Sequence, residues 1–130
     1  MSPIENGTYT KLSLNVVIES VSGVVHTPFE DDIRMAYTNI SEWLVSSYSI
    51  LSHIENVNSN FTTEDKHEIV VLLQDLKRCC ALVKNRINEI EQYAREQAVF
   101  VESDSIQRSN DKVRTLTRKI DSITKNQLAA

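Results

Sequence analysis

The chain has 130 residues, enough for one domain, with 41% hydrophobic residues, 25% charged residues and a formal net charge of −4. A negatively charged molecule is not, as a whole, an electrostatic binder of nucleic acid. Only two glycines and two prolines occur, which excludes folds built from many tight turns, such as sandwiches and barrels. We therefore expect long elements and few turns.

The cysteine count and the apolar runs bear on location. Cys79 and Cys80 are the only cysteines, too few for a disulfide framework or a four-ligand zinc site. Residues 1–11 are polar and lack the apolar run of a signal peptide. No apolar run approaches the roughly 20 residues of a membrane span. The sequence therefore predicts an intracellular protein, in the cytoplasm or nucleus, that uses no metal and no cofactor.

Residues 1–10 are polar and are interpreted as a flexible tail before a single domain over residues 11–130. A first helix is predicted over about residues 12–24, because apolar residues recur there at helical spacing. Its β-branched valines also suit a strand, but no second strand is available to pair with it. The apolar positions are Leu14, Val17, Ile18, Val21, Val24 and Val25.

A second helix is predicted over about residues 28–57. Thr27 at the N-cap and Glu30 at N3 form a capping box, with Pro28 at the favoured N1 position. Trp43 lies on a row beside the main apolar stripe, where it suits either the core or a surface anchor for a partner. The main stripe contains Ile33, Tyr37, Ile40, Leu44, Ser47, Leu51 and Ile54.

A third helix is predicted over about residues 63–101, with apolar residues spaced alternately by four and three. Its first half is apolar on nearly every face, which predicts neighbours all round. From Lys84 onward the apolar stripe narrows to a seam with charged flanks, which is typical of a coiled coil. The regularly spaced residues are Ile69, Leu73, Leu76, Cys80, Val83, Ile87, Ile90 and Ala94.

The heptad phase breaks at Ser103–Ser105, before a last predicted helix over about residues 104–127. The break indicates either an antiparallel hairpin or a stutter in one continuous helix. The predicted fold is therefore an all-α helical bundle of three to four long amphipathic helices, with a coiled-coil-like C-terminal extension.

No motif in the sequence indicates catalysis, since the three histidines are isolated and the carboxylate pairs lie at helix N-termini. We predict a non-enzymatic protein–protein interaction module, such as an adaptor, a scaffold subunit or an inhibitor acting by occlusion. A narrow seam is marginal alone in water, so we expect another chain, a second copy or another helical subunit, to complete it. The candidate seam residues are Ile87, Ile90, Ala94, Ile106, Val113, Leu116, Ile120 and Ile123.

The uneven distribution of charge gives an alternative function. Residues 106–130 carry a net charge of +4, against −8 for the rest of the chain. A basic helix suits a nucleic acid or an anionic membrane surface, although no aromatic residues are interleaved with the charges. The candidate contacts are Arg108, Lys112, Arg114, Arg118, Lys119 and Lys125.

Overall fold

The structure is a computed structural model that describes residues 3–98 and 103–128, with the side chains of residues 3, 4, 103 and 104 excepted. Within these ranges the chain forms four α-helices and one 3₁₀ turn, Asn58–Asn60, and contains no strand. The helices pack on one another, which confirms an all-α helical bundle. Their bounds are α1, Pro3–Val25; α2, Ile33–Val57; α3, Thr63–Glu96; and α4, Ser103–Asn126.

The order of the helices around the bundle differs from their order in the chain. Both α1 and α4 pack against α2 and α3, whereas α2 and α3 approach each other at only a few positions. Lys11 of α1 bonds to Asp65 in the first turn of α3, and Arg86, further along α3, bonds to the carbonyl of Thr27, just after α1 ends. Because both contacts advance in the same direction along the two helices, α1 and α3 are parallel. The order is therefore α1, α2, α4, α3, and the short connection between α2 and α3 crosses the bundle diagonally.

The core follows the heptad pattern of α3. All eight regularly spaced residues, from Ile69 to Ala94, are buried, as predicted. The prediction that neighbours surround the first half of α3 is wrong, because Val71 and Leu82 are exposed. One side of α3 packs against α1 and another against α4, and the remaining outer surface of α3 is in contact with solvent.

The predicted N-terminal tail over residues 1–10 is corrected by the structure, because α1 begins at Pro3. Asn6 and Thr10 are buried, and Gly7 lies directly against Asp65 in the first turn of α3. Lys11 extends this contact with ion pairs to Asp65 at 3.0 Å and Glu68 at 2.6 Å. Small and polar residues therefore form this helix end because they allow close approach to α3, not because the segment is unstructured.

The start of α2 also differs from the predicted one. The helix begins at Ile33, and Asp32 is the N-cap, with its carboxylate accepting a 3.0 Å hydrogen bond from the Met35 backbone N–H. Phe29 is buried in the preceding bend, with Tyr93 edge-to-face at a centroid distance of 5.3 Å. The guanidinium of Arg86 lies 4.4 Å from the Phe29 ring centroid. Burial of this aromatic ring against α3 explains why the capping box at Thr27 does not start the helix.

The third helix ends at Glu96, five residues before its predicted end. The N–H of the C-cap residue Gln97 bonds to the carbonyl of Tyr93, and Ala98 follows with a φ of 54°. A left-handed residue after the C-cap is a common helix terminator. The predicted helical residues 99–101 lie outside the described residues. Because α4 returns along α3, the break in heptad phase corresponds to a hairpin rather than to a continuous helix.

Candidate functional site

The predicted partner seam lies inside this chain. Its residues on α3 and α4 are buried, except for Ile106, which is half-buried. The two narrow apolar stripes face each other and α2, because α3 and α4 form a hairpin and α4 also packs on α2. The α4 stripe therefore completes the bundle instead of forming an extension that a second chain must cover. The buried residues are Ile87, Ile90, Ala94, Val113, Leu116, Ile120 and Ile123.

Trp43 is part of the core and not a surface anchor. Its side chain is 4% exposed, and its indole Nε1 donates a 3.0 Å hydrogen bond to the Val17 carbonyl. The indole needs this partner because an unpaired buried N–H is unfavourable. The structure therefore corrects the interpretation of Trp43 as a contact residue.

The six basic residues of the C-terminal segment do not form one surface. Lys119 pairs with Glu55 of α2 at 2.8 Å, and Lys125 is exposed in the last turn of α4. Arg108 and Lys112 line a shallow depression between α2 and α4 that also contains Glu42. Arg114 and Arg118 share a different depression with three further cations.

That depression lies between α3 and α4 and is called here the α3–α4 groove. Its cavity volume is about 820 Å³. The α3 residues that line it recur at spacings of three and four, as expected for one exposed side of a helix. The α3 wall consists of Gln74, Lys77, Arg78, Cys80, Ala81, Lys84 and Asn88, and the α4 wall of Gln107, Asn110, Val113, Arg114, Thr117 and Arg118.

The charges of the groove are all of one sign, because five cations and no carboxylate line it. Within the described residues, Lys84 and Arg118 form no ion pair, and both are exposed. The other three cations pair with carboxylates outside the lining: Lys77 with Asp121 at 2.8 Å, Arg114 with Asp111 at 3.4 Å, and Arg78 with Asp75. Exposed pairs of this kind are weak and exchange readily with other partners. The groove is therefore suited to a negatively charged ligand.

The floor of the groove is uncharged. Ala81 is exposed at its centre, beside the buried side chains of Cys80 and Val113. Burial raises the pKa of the Cys80 thiol to about 12, although the neighbouring Thr117 side chain acts in the opposite direction. The thiol is thus neutral at physiological pH and behaves as a small apolar group. Asn110 contributes a buried amide oxygen that has no hydrogen-bond partner in the described structure.

A second depression lies between α1 and α2 and has no charged residue in its lining. Its cavity volume is about 590 Å³, and Tyr9, Val16 and Val45 at its rim are exposed. The ring of His53 lies edge-on to Tyr9, with centroids 5.1 Å apart. His53 contributes a buried ring nitrogen without a hydrogen-bond partner among the described residues, but no cation or carboxylate lines this depression, so the α3–α4 groove is the stronger candidate site for a charged ligand.

The sequence prediction identified the α4 side of the groove but not the α3 side. Lys77, Arg78 and Lys84 come from a segment about 30 residues earlier in the chain. The signal that would have found them is the seven-residue interval between Lys77 and Lys84, which places two cations on one side of a helix. Only the antiparallel packing of α3 and α4 brings the two sets of cations together.

Among residues 3–98 and 103–128, no group of three or more His, Cys, Asp and Glu side chains is close enough together to hold a metal ion. In the same part of the chain, no helix is both long and apolar enough to cross a membrane. No protein-family model, curated protein or solved structure matches this chain, so no residue role is transferred to it from a relative.

Proposed function

We propose that the protein is a non-enzymatic, intracellular protein-interaction module, and that its α3–α4 groove receives an acidic segment of a partner protein. The observation that carries the proposal is the lining of the groove, which has five cations, no carboxylate and an uncharged floor. Charge complementarity of this kind guides a partner to its site and excludes partners of the same sign.

An acidic protein segment fits this groove better than a nucleic acid does. Proteins that bind single-stranded nucleic acid combine cations with aromatic side chains that stack on bases. The groove has no aromatic residue in its lining, and the chain as a whole carries a net charge of −4. Its floor of Cys80, Ala81 and Val113 instead suits an apolar side chain beside the acidic ones.

The chemistry of the groove also supports binding rather than catalysis. Its only thiol, Cys80, has a raised pKa and is buried, so it is a poor nucleophile. Histidine and carboxylate side chains, the usual general bases, are missing from its lining. Both cysteines are free and buried, as is common for thiols in a reducing compartment.

The partner no longer needs to complete the apolar seam, because the chain's own helices cover it. The partner is therefore proposed to be a different protein whose acidic segment docks on the folded bundle. In this respect the proposal replaces the self-association through Leu116 and Ile120 that the seam pattern suggested.

The proposal is tested by selecting binders from a displayed library of random peptides. The bait is the full chain, and counter-selection uses the double variant Lys84→Glu/Arg118→Glu, which reverses the two unpaired cations. A matched control, Arg34→Glu/Lys125→Glu, makes the same change in net charge at exposed positions outside the groove.

The expected result is enrichment of acidic peptides whose affinity falls by about tenfold or more in the groove variant but stays unchanged in the control. Peptides that bind the groove variant as tightly as the unmodified chain contradict the proposal. Circular dichroism of both variants verifies that they are folded.

A further inference from the structure

We propose that the segment bound in the α3–α4 groove is an acidic amphipathic helix, which packs along α3 and α4 as a fifth helix of the bundle. This inference rests on the function proposed above and specifies the form of the partner segment. It is supported by the backbone of the groove walls, by the floor and by the positions of the cations.

The backbone of the walls favours a helical occupant over an extended one. Both walls are helices, whose backbone N–H and C=O groups are bonded within α3 and α4. An extended segment binds tightly where it meets free backbone groups, as at the edge of a sheet, and the groove offers none along its length. A helix satisfies its own backbone groups and needs only side-chain contacts with its neighbours.

The length of the groove matches a few turns of helix. Its α3 wall extends from Gln74 to Asn88, which at ~1.5 Å per residue corresponds to about 21 Å. An occupant helix of about four turns spans this length. A further helix commonly packs in the depression between two antiparallel helices, with its side chains between theirs.

The floor allows close approach of a helix. Ala81, at the middle of the α3 wall, exposes only a methyl group. Val113 and Thr117 face it from α4, so no long side chain covers the floor at this level, and Lys77 crosses from α3 to Asp121 of α4 one turn away. Small side chains at a crossing point let helix axes come to about 8–10 Å from each other. The occupant is therefore expected to place apolar residues along this line.

Both walls of the groove carry cations. Lys77 bonds to Asp121, and Thr117 lies beside the Cys80 thiol, so residues of α3 and α4 whose numbers add up to about 198 are level with each other. Lys84 is thus level with Arg114, and Arg78 is nearly level with Arg118. A helix in the groove meets a cation on each flank at two successive levels. Carboxylates on both flanks of an apolar stripe are the matching pattern.

The test uses a synthetic peptide of about 20 residues with Leu and Ala on one stripe and Glu on both flanks. Three further probes are used: a peptide of the same length and charge in which prolines replace two of the alanines, so that it cannot form a continuous helix; an oligothymidylate; and vesicles containing phosphatidylserine. Binding is measured by calorimetry or flotation, and helix formation by the change in circular dichroism at 222 nm.

Two variants localise the binding. Ala81→Gln fills the centre of the floor with an uncharged, helix-compatible side chain, whereas Leu82→Gln makes the neighbouring change outside the groove. The helical peptide is expected to gain helicity on binding and to bind Ala81→Gln about tenfold more weakly, with no change for Leu82→Gln. This pattern supports the fifth helix.

The other outcomes separate this inference from the function on which it rests. If the proline-containing peptide binds as well as the helical one, and both lose affinity in Lys84→Glu/Arg118→Glu, the fifth helix is overturned while acidic-peptide binding is retained. If neither peptide binds, the inference is overturned. If in addition the oligothymidylate or the vesicles bind and lose affinity in Lys84→Glu/Arg118→Glu, the proposed function is overturned as well.

Discussion

The indole Nε1 of Trp43 donates a hydrogen bond to the backbone carbonyl oxygen of Val17, 3.0 Å away, and so joins α2 to α1 in the core. The same carbonyl accepts a 2.7 Å hydrogen bond from the Ser20 hydroxyl. This carbonyl lies near the middle of α1, where Val17 and Val21 face inward. Trp43 therefore combines a large buried surface with a polar contact that fixes the position of α1 relative to α2.

Replacing Trp43 is expected to destabilise the fold in proportion to what is removed. Trp43→Phe loses the hydrogen bond and some volume, at a cost of about 1–3 kcal/mol in the free energy of unfolding. Trp43→Ala leaves a larger cavity and costs about 3–5 kcal/mol. Urea unfolding followed by circular dichroism measures both. Val45→Ala, an exposed change two residues away, serves as the control and should alter stability by less than about 0.5 kcal/mol. A similar change in the free energy of unfolding for all three variants would contradict the placement of Trp43 in the core.

The two glycines of α1 are expected to respond oppositely to the same substitution. A Cβ on Gly7 would lie 2.5 Å from the Asp65 carboxyl carbon, whereas a Cβ on Gly23 meets nothing within 4 Å. Alanine in an open helical site is more stable than glycine by about 0.5–1 kcal/mol. Gly23→Ala should therefore stabilise the chain. Gly7→Ala should destabilise it, because the Asp65 carboxylate cannot move without breaking the hydrogen bonds that it accepts from Lys11 and from the Thr62 backbone N–H.

Paired urea titrations of the two glycine variants measure the difference. Its sign is the critical result, because both substitutions are chemically identical and both lie in α1. A Gly7→Ala variant more stable than the unmodified chain would mean that α1 does not pack against Asp65.

Asp65 is expected to make stability depend on pH in the acid range. Burial acts to raise the pKa of this carboxyl, but hydrogen bonds from Lys11 and Thr62 outweigh it and lower the pKa. A carboxyl with a lowered pKa in the folded state contributes stability above its unfolded pKa of about 3.9. That contribution is lost as the pH falls through the lower, folded-state pKa.

Asp65→Asn should therefore reduce stability at pH 7 and also weaken the further loss of stability on acidification below about pH 4. Urea midpoints measured across this range test both effects. Glu64→Gln, an exposed change in the same helical turn, retains Asp65 and should keep the pH profile of the unmodified chain. An Asp65→Asn profile parallel to that of the unmodified chain would contradict the assignment.

The adjacent thiols are expected to be unreactive in the folded protein. Burial raises the pKa of both, to about 12 for Cys80, and Cys79 makes a weak 3.8 Å contact with the Ile18 carbonyl. Since the thiolate is the reactive form, an aromatic disulfide reagent at pH 8 should label neither at an appreciable rate. Denaturant should release both. The single variants Cys79→Ser and Cys80→Ser assign any residual reactivity, and rapid labelling without denaturant would contradict the buried placement.

The helices and their buried positions could largely be predicted, because apolar residues at heptad spacing lie on the side of a helix that is buried. The positions from Ile69 to Ala94 repeat every three or four residues, and in a helix of 3.6 residues per turn such positions must share one side. The helix ends were harder to predict, because they depend on contacts that are distant in sequence. Gly7 and Asn6 suggest a polar tail in the sequence, and only the packing of Gly7 against Asp65 of α3 explains why they are helical. Pro28 suggests a helix start, and only the contact of Phe29 with Tyr93 explains why the helix begins later.

The candidate site could be predicted only by half. The basic residues of α4 are visible in the sequence, and Arg114 and Arg118 indeed line the groove. The contribution of Lys77 and Lys84 to the same site could not be predicted, because the sequence leaves open whether α3 and α4 fold back on each other. The antiparallel register is set by the packing of the two apolar stripes, and it cannot be read from the charges alone.

The apolar seam between α3 and α4 is closed within the chain, so α4 is expected to be essential for folding. Leu116 on α4 is fully buried, whereas Leu12 on α1 is 62% exposed. Leu116→Ala should destabilise the chain by about 2–5 kcal/mol, and Leu12→Ala by less than about 0.5 kcal/mol. Removing residues 104–130 altogether should prevent folding, because the apolar sides of α2 and α3 that face α4 would be exposed to water.

Urea unfolding of the leucine variants and circular dichroism of the truncated chain measure these effects. A separable C-terminal extension would give a different result, with a truncated chain that remains folded and a Leu116→Ala variant as stable as Leu12→Ala. Loss of cooperative unfolding in the truncated chain would instead confirm that α4 is an integral helix of the bundle. The α3–α4 groove then lies on a rigid surface of the bundle, as a site that binds without refolding requires.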